Sequence, residues 1–529
     1  MTDSTGSRRG DTDEVAGGAD GNGFAPDSER ESRRWRAIWR IHFYAGLFAA
    51  PILLLLALTG LVILYTQPIQ DWLEGDVRTV DVGDERLSYD EQAAAVGREY
   101  PDATIVSLVT PPDAHHATRF GIDDGRDVFV DPYTGEVLGT RDPAGGIVGL
   151  ANRLHGTLNN ESLKVKLPTA AGLFGPDPLF AEFAIGDVVV EIFACWGLVL
   201  AATGIYLWWP RKRGTGKALF VPRLSKRGRA RWRDLHAVPG FLLSWVLVFF
   251  VVSGLPWSGY WGGNFDFLAE KATPGSYPDP PTSSVARLGD VDRFGNRINW
   301  VLQDLRVPAS PAPAEARPAA FGADDDHGSG HGGGGAGDAG DGPARLSLDR
   351  VVRAAREEGL KDGFGLSFPE DVTADDGTVT YGSFAAANPW PGRSQDALTV
   401  YFDQFTGATL GRQELYGFGT VWRAADYTIS THMGTQFGLV NRIVMTFGCL
   451  ALIWAVISAA VMYWKRRRPG SLGLPRRPVD LRIANHLVVI AVVLALIYPL
   501  WGVTALVVLA IDRYVIRRVP RLRQAFGQR

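Results

Sequence analysis

Arg40-Ile41-His42-Phe43-Tyr44-Ala45-Gly46-Leu47 opens an apolar run ending at Thr59-Gly60-Leu61. Asp234-Leu235-His236-Ala237-Val238-Pro239-Gly240-Phe241 opens another, ending at Ser253-Gly254-Leu255. In both, a glycine follows the histidine by four residues and a hydroxyl–glycine pair follows by seventeen and eighteen. Each run suffices to cross the hydrocarbon core of a bilayer, which takes about 20 apolar residues. A lone histidine at such a place is usually an interfacial residue snorkelling to water. Two in matching places of two matching spans point instead to a ligand shared between helices, because ionisable residues inside a membrane are costly and mostly functional.

The rest of the chain arranges itself around these runs. It has 529 residues, room for several domains, and a net charge of −3 that favours no strongly charged partner. Cys195 and Cys449, the only cysteines, lie inside apolar runs, which excludes a disulfide framework and a cysteine-held cluster. Basic residues crowd the ends of the runs. Arg33, Arg34, Arg36 and Arg40 precede the first, and ten Lys or Arg residues from Arg211 to Arg233 separate the second from the third. The positive-inside rule makes both regions cytoplasmic. A last apolar run, broken by Pro499-Leu500-Trp501-Gly502, has Lys465 to Arg468 before it and Arg517, Arg518, Arg521 and Arg523 after it. With both ends cytoplasmic, it reads as two short helices turning at 499–502.

The expected fold is a polytopic α-helical membrane protein, four main spans plus a C-terminal helical hairpin, carrying two small extracytoplasmic α+β domains. The spans fall at 35–66, 184–210, 235–256 and 437–464, and the hairpin at 484–516. Segments 67–183 and 257–436 are outside. The basic loops 211–234 and 465–483 are inside, as are both termini. The tail 1–34, rich in Gly, Asp, Ser and Arg without an apolar stretch, reads as disordered rather than as a signal peptide.

An internal two-copy repeat runs through this plan. Thr203-Gly204-Ile205-Tyr206-Leu207-Trp208-Trp209, before Pro210, parallels Ser458-Ala459-Ala460-Val461-Met462-Tyr463-Trp464, before Lys465. The unit is span, outer domain, span, so the copies are expected to be related by an axis along the membrane normal. Outside, Asp131-Pro132-Tyr133-Thr134-Gly135 parallels Asp403-Gln404-Phe405-Thr406-Gly407. Each follows an alternating strand-like run, and a glycine with positive φ makes each a hairpin turn signal. Upstream of each lies a short helical pattern, at 89–100 and 348–358.

These helix-plus-strand modules ending in Asp-x-aromatic-Thr-Gly resemble PepSY domains. The His-x-x-x-Gly spans and the Trp208-Trp209-Pro210-Arg211-Lys212 ending resemble the PepSY-associated transmembrane family, over roughly residues 35–515. The resemblance implies a bacterial cytoplasmic membrane protein. The family includes di-haem reductases of ferric siderophores and members linked to iron uptake without a defined activity. PepSY modules elsewhere are linked to protease inhibition and envelope sensing.

Of nine histidines, four are candidates for chemistry. His42 and His236 lie about one turn inside the cytoplasmic ends of equivalent spans. Gly46 and Gly240 follow on the same helix face, where a missing side chain lets a flat macrocycle approach. Gly60 and Gly254 return to that face about 27 Å further along. Small residues at two depths fit two stacked cofactors, and bis-imidazole ligation of haem b between bundle helices accounts for the pattern. The absence of Cys-x-x-Cys-His excludes covalent attachment. His155 and His432 form a second, outer pair upstream of the second and fourth spans. The resemblance implies motif histidines at both positions, and hence a second haem b.

Arg153 and Arg442 are candidates for the outer haem propionates, although Arg442 could equally pair with Asp187 or Glu191. Arg40 and Arg233 are the inner candidates, already explained by the positive-inside rule. His486 and Met433 are weaker ligand candidates without counterparts in the other copy, and His115 and His116 read as solvated. The Asp324–His331 stretch, inside a Gly/Asp/His-rich insertion at 322–343, reads as a flexible linker before a metal site.

The leading expectation is a membrane electron-transfer protein and ferric (siderophore) reductase. Electrons enter at His42 and His236 from a cytoplasmic or membrane donor, a quinol or flavoprotein. They leave from His155 and His432 to an extracytoplasmic Fe(III) chelate in iron uptake. No dinucleotide fingerprint or flavin-sized soluble domain is present, so the reductant comes from elsewhere. Besides the lipid bilayer no macromolecular surface is implied, and no nucleic acid is expected. The alternative is a non-enzymatic scaffold presenting PepSY domains, with structural histidines. A transporter accessory is weaker, since Asp187 and Glu191 are the only acidic residues well placed in a span.

Overall fold

The computed structural model describes residues 29–209, 220–225, 227–279, 281, 283–288, 300–313, 345–466 and 485–526. The tail up to residue 28, most of the basic loops, the insertion 322–343 and the side chain of His486 lie outside the described residues. Four long helices, Glu29–Leu64, Ile185–Trp208, Arg229–Gly254 and Gly438–Arg466, carry the four apolar runs. They pack in a ring, the first and third each touching the second and fourth. Small residues set the close approaches: a Cβ on Gly448 would meet Val246 at 2.9 Å and Phe250 at 3.0 Å. Ala49, Leu53, Leu247, Val251 and Leu452 close the core between them. The outward faces stay apolar, with Trp245 and Phe447 each more than half exposed. In water that would be an aggregation-prone surface; facing lipid it is the ordinary exterior of a span.

The last apolar run forms two helices, Asn485–Ile497 and Pro499–Ile511. A Cβ on Gly502 would sit 2.7 Å from that of Ala495, so the chain folds back at Tyr498 instead of continuing. The turn is pinned by Trp261, whose indole donates to the Ile497 carbonyl at 2.9 Å. Arg40 donates to the Phe526 carbonyl at 3.0 Å, bringing the end of the chain to the opposite end of the bundle. Among the described residues, five helices are long and apolar enough to cross a membrane, the fifth spanning Pro499–Ile516.

The segments between spans fold at one end. They build one antiparallel eight-stranded sheet with a shared core, not two separate bodies. The first segment gives Ile105–Val109, Thr118–Ile122, Asp127–Val130 and Val137–Arg141. The second gives Gly365–Ser367, Ser383–Ala387, Leu398–Asp403 and Thr409–Glu414. Ile105–Val109 pairs with Gly365–Ser367 in the middle. Leu108, Phe120, Val352 and Phe402 fill the core beneath helices Tyr89–Glu99 and Leu348–Glu357. Those two helices cap each other. Asp349 accepts from the Tyr89 and Asp90 amides at 3.0 and 3.2 Å, and Asp90 accepts from Leu348 at 3.0 Å. Each carboxylate thereby satisfies N–H groups left open at its partner's N-terminus.

The Asp-x-aromatic-Thr-Gly segments are tight turns for a local reason. Asp131 accepts from the Tyr133 amide at 2.8 Å, and Asp403 from Phe405 at 2.7 Å. Gly135 and Gly407 then take φ of 75° and 71°, a conformation that favours glycine.

Two further helices run from the sheet into the spans. Gly146–Thr157 carries His155, and Thr420–His432 ends in His432. The first docks on the second span backbone to backbone, since a Cβ on Gly186 would lie 1.6 Å from the Thr157 carbonyl oxygen.

Candidate functional site

The four candidate histidines form two pairs. His42 and His236 face each other at the end of the bundle away from the sheet, with ring centroids 6.4 Å apart and planes at 74°. His155 and His432 do the same at the sheet-bearing end, 6.5 Å apart at 83°. The four Nδ1 atoms have the same kind of partner. His42 meets the Thr203 hydroxyl at 2.9 Å, His155 meets Thr59 at 2.9 Å, His432 meets Ser253 at 2.8 Å and His236 meets Ser458 at 3.0 Å.

Those hydroxyls fix the proton positions. Each has one proton and gives it to a carbonyl about a turn back in its own helix. Thr59 donates to Leu55 at 2.8 Å, Thr203 to Val199 at 2.5 Å, Ser253 to Phe249 at 2.6 Å and Ser458 to Ala455 at 3.0 Å. The hydroxyl oxygen must then accept from Nδ1–H, and the Ala455 carbonyl, 3.1 Å from Nδ1 of His236, can only accept. Each imidazole is thereby held as the Nδ1–H tautomer, its Nε2 lone pair left for a ligand. At the sheet-bearing end, burial lowers the imidazole pKa to about 4 for His155 and, with the charge of His155 added, to about 3 for His432. Both rings are neutral at physiological pH, as ligation requires.

Glycines lie against three of the rings. A Cβ on Gly60 would meet His155 Cε1 at 3.5 Å, one on Gly254 would meet His432 at 3.5 Å, and one on Gly204 would meet His42 at 3.3 Å. Gly46 and Gly240 have other surroundings. A Cβ on Gly46 would meet Leu200 at 3.6 Å, and around Gly240 there is open space.

A cavity of about 1110 Å³ opens between the spans and the sheet, and His155 and His432 are in its wall. Its wall is apolar where the spans line it, with Leu53, Leu247 and Met445, and it also carries Trp257 and Trp390, whose rings meet edge to face at 4.9 Å. Arg153 lines it while donating to the Ala144 carbonyl and to Asn159 Oδ1, the latter at 2.7 Å. Arg442 lies over the Tyr65 ring at 5.8 Å. It does not pair with Asp187 or Glu191, which turn to Gly259 and to Ser258 and Trp261. Arg40 bonds Tyr44 and Phe526, and Arg233 bonds Asp234. Met433 lines the cavity. So does His116, read from sequence as solvated, and its hydrogen bond to Asp113 at 2.7 Å pulls that carboxyl below its usual range. Among the described residues no group of three or more His, Cys, Asp or Glu gathers as a metal site.

The hydroxyl acceptors and Gly204 escaped the sequence reading as ring contacts. Their signal was present, because Thr59-Gly60, Thr203-Gly204 and Ser253-Gly254 are each a hydroxyl residue followed by glycine at span positions.

Apolar spans, a sheet-bearing head and histidines paired across the bundle define a multi-pass membrane protein with a large extramembrane α+β portion. The chain belongs to the family described as the PepSY-associated TM region, whose profile matches residues 39–466. No curated protein matches the chain.

Proposed function

We propose that this protein is a membrane b-type haem electron-transfer protein that reduces a ferric siderophore or another Fe(III) complex. The observation that carries the reading is the spacing of the paired imidazoles. Metal–imidazole bonds are about 2.0–2.1 Å, so two imidazoles that shared one metal ion would stand about 6 Å apart, centre to centre. The two pairs stand at 6.4 and 6.5 Å. Two protein ligands per site suit a metal whose other positions a macrocycle fills. The open space at Gly240 and the volume between His155 and His432 are where such a flat group has room. Haem bound at the two pairs would supply one-electron transfer at both ends of the bundle.

The chain's own residues have definite tasks in this reading. Thr203, Ser458, Thr59 and Ser253 hold each imidazole as the Nδ1–H tautomer and set its rotation. The basic clusters flanking the spans support a reading in which the His42–His236 end faces the cytoplasm and the sheet faces the outside. Two halves, each a PepSY-like helix on four strands, descend from one repeated unit, and their mutual helix capping supports this. An Fe(III) chelate, held in the cavity near Trp257 and Trp390, loses its metal on reduction, because Fe(II) binds hard oxygen ligands more weakly than Fe(III). The electron donor is cytoplasmic or membrane-borne, a quinol or a flavoprotein.

A reduced-minus-oxidised absorption spectrum of the purified protein is expected to show a b-type signal equivalent to two haems per chain. A protein without haem, after expression with ample haem supply, would leave the head as a scaffold and refute the reductase.

A further inference from the structure

The cavity beside His155 and His432 contains a carboxylate oxygen with nothing to bond. Glu191 of the second span is 1 % exposed, and its Oε2 accepts from Ser258 Oγ and from the Trp261 amide, both at 3.0 Å. Oε1 is buried without a partner, and the residue lines the cavity. As an anion so placed it is poorly compensated, and a proton relieves it. One turn nearer the sheet, Asp187 lines the same cavity, only half-buried, and accepts from the Gly259 amide at 2.8 Å. That contact needs glycine, since a Cβ at 259 would lie 2.6 Å from Asp187 Oδ2. The titratable and charged groups around Glu191 are Asp187 and Cys195 on its own helix and Tyr260 after the third span, while Tyr498 at the hairpin turn lies beside Cys195. Arg153 and His155 share the cavity wall.

We propose that Glu191, supplied through Asp187 from the outer water, is a proton-exchange site for the electron carried in this cavity. The inference rests on the haem reading above. An electron arriving in a site of low dielectric raises the proton affinity of a nearby carboxylate. One O–H bond then forms at Glu191 Oε1 as one breaks in a hydronium of the outer water. The electron comes from the cytoplasmic-side donor and departs to the Fe(III) complex, and the proton is released as it leaves. Charge in the cavity stays constant through the cycle.

The test is a redox titration of the haem absorbance at several pH values, in wild type and in Glu191→Gln. In wild type the midpoint of one component should fall as pH rises, by up to about 59 mV per pH unit for one proton per electron, a tenfold change in the equilibrium per unit. Glu191→Gln should lose at least half of that slope and leave the other component unchanged. An unchanged slope in the variant, or a pH-independent wild type, overturns the proposal. Should the variant fail to fold, the reduced-minus-oxidised infrared difference spectrum of wild type decides. A carboxyl C=O band that shifts in D2O supports the proposal, and no such band overturns it. A preparation with no haem refutes the underlying reading, and the inference with it.

Discussion

The two histidine pairs share one geometry but are built differently. His42 and His236 belong to the spans themselves, each inside a continuous helix of the four-helix ring. His155 and His432 hang on short helices outside the spans, one of them seated on the second span by backbone contact. The first pair is thus as durable as the bundle, whereas the second depends on two docking events. The cavity accompanies the second pair only, since neither His42 nor His236 lines it. Durability sits at one end and access at the other, which suits the electron path proposed above.

The docking contact is where this contrast breaks most readily. Gly186→Val would drive a side chain into the Thr157 carbonyl, which a Cβ alone would approach to 1.6 Å. Such overpacking costs about 1–3 kcal/mol, and with backbone on the other side it cannot be relieved by a rotamer change. Haem content measured as the pyridine haemochrome should fall from two per chain to one, with the His42–His236 site retained. Loss of both haems, or of neither, would mean that the two sites are not independently supported.

A smaller effect is expected at the hydroxyls. Ser253→Ala removes the Nδ1 acceptor of His432, and outer-shell partners of this kind are worth about 10–100-fold in metal affinity. Haem titration of the apo-protein should show that loss at one site alone. Ser458→Ala should cost less, because the Ala455 carbonyl stays within 3.1 Å of His236 Nδ1. Equal losses would show that the hydroxyls act by packing rather than as acceptors.

The sequence revealed the parts set by local rules. Apolar length and basic flanks gave the spans, and the arginines on both sides of 499–502 gave the hairpin, because membrane insertion depends on composition over about 20 residues. The Asp-x-aromatic-Thr-Gly turns were legible because aspartate and glycine act within five residues. The merger of the two outer segments into one sheet was not legible. It rests on Gly365–Ser367, three residues paired with a strand some 250 positions earlier, too short to announce itself. The fates of Arg153 and Arg442 were hidden for a related reason. A guanidinium takes whichever carbonyl or ring the fold brings near, here Ala144 and Tyr65. The sequence showed where His42 and His236 belong, because their spacing to glycine recurs. It placed the outer pair only through its positions and a resemblance, since Thr59 and Ser253 reach His155 and His432 across 96 and 179 residues.

The most direct measurement is haem stoichiometry in His42→Ala and in His432→Ala, each purified alongside wild type. Two haems in wild type and one in each variant, with different spectral components lost, is the result the paired geometry predicts. Two haems retained in either variant, or none in wild type, would contradict it.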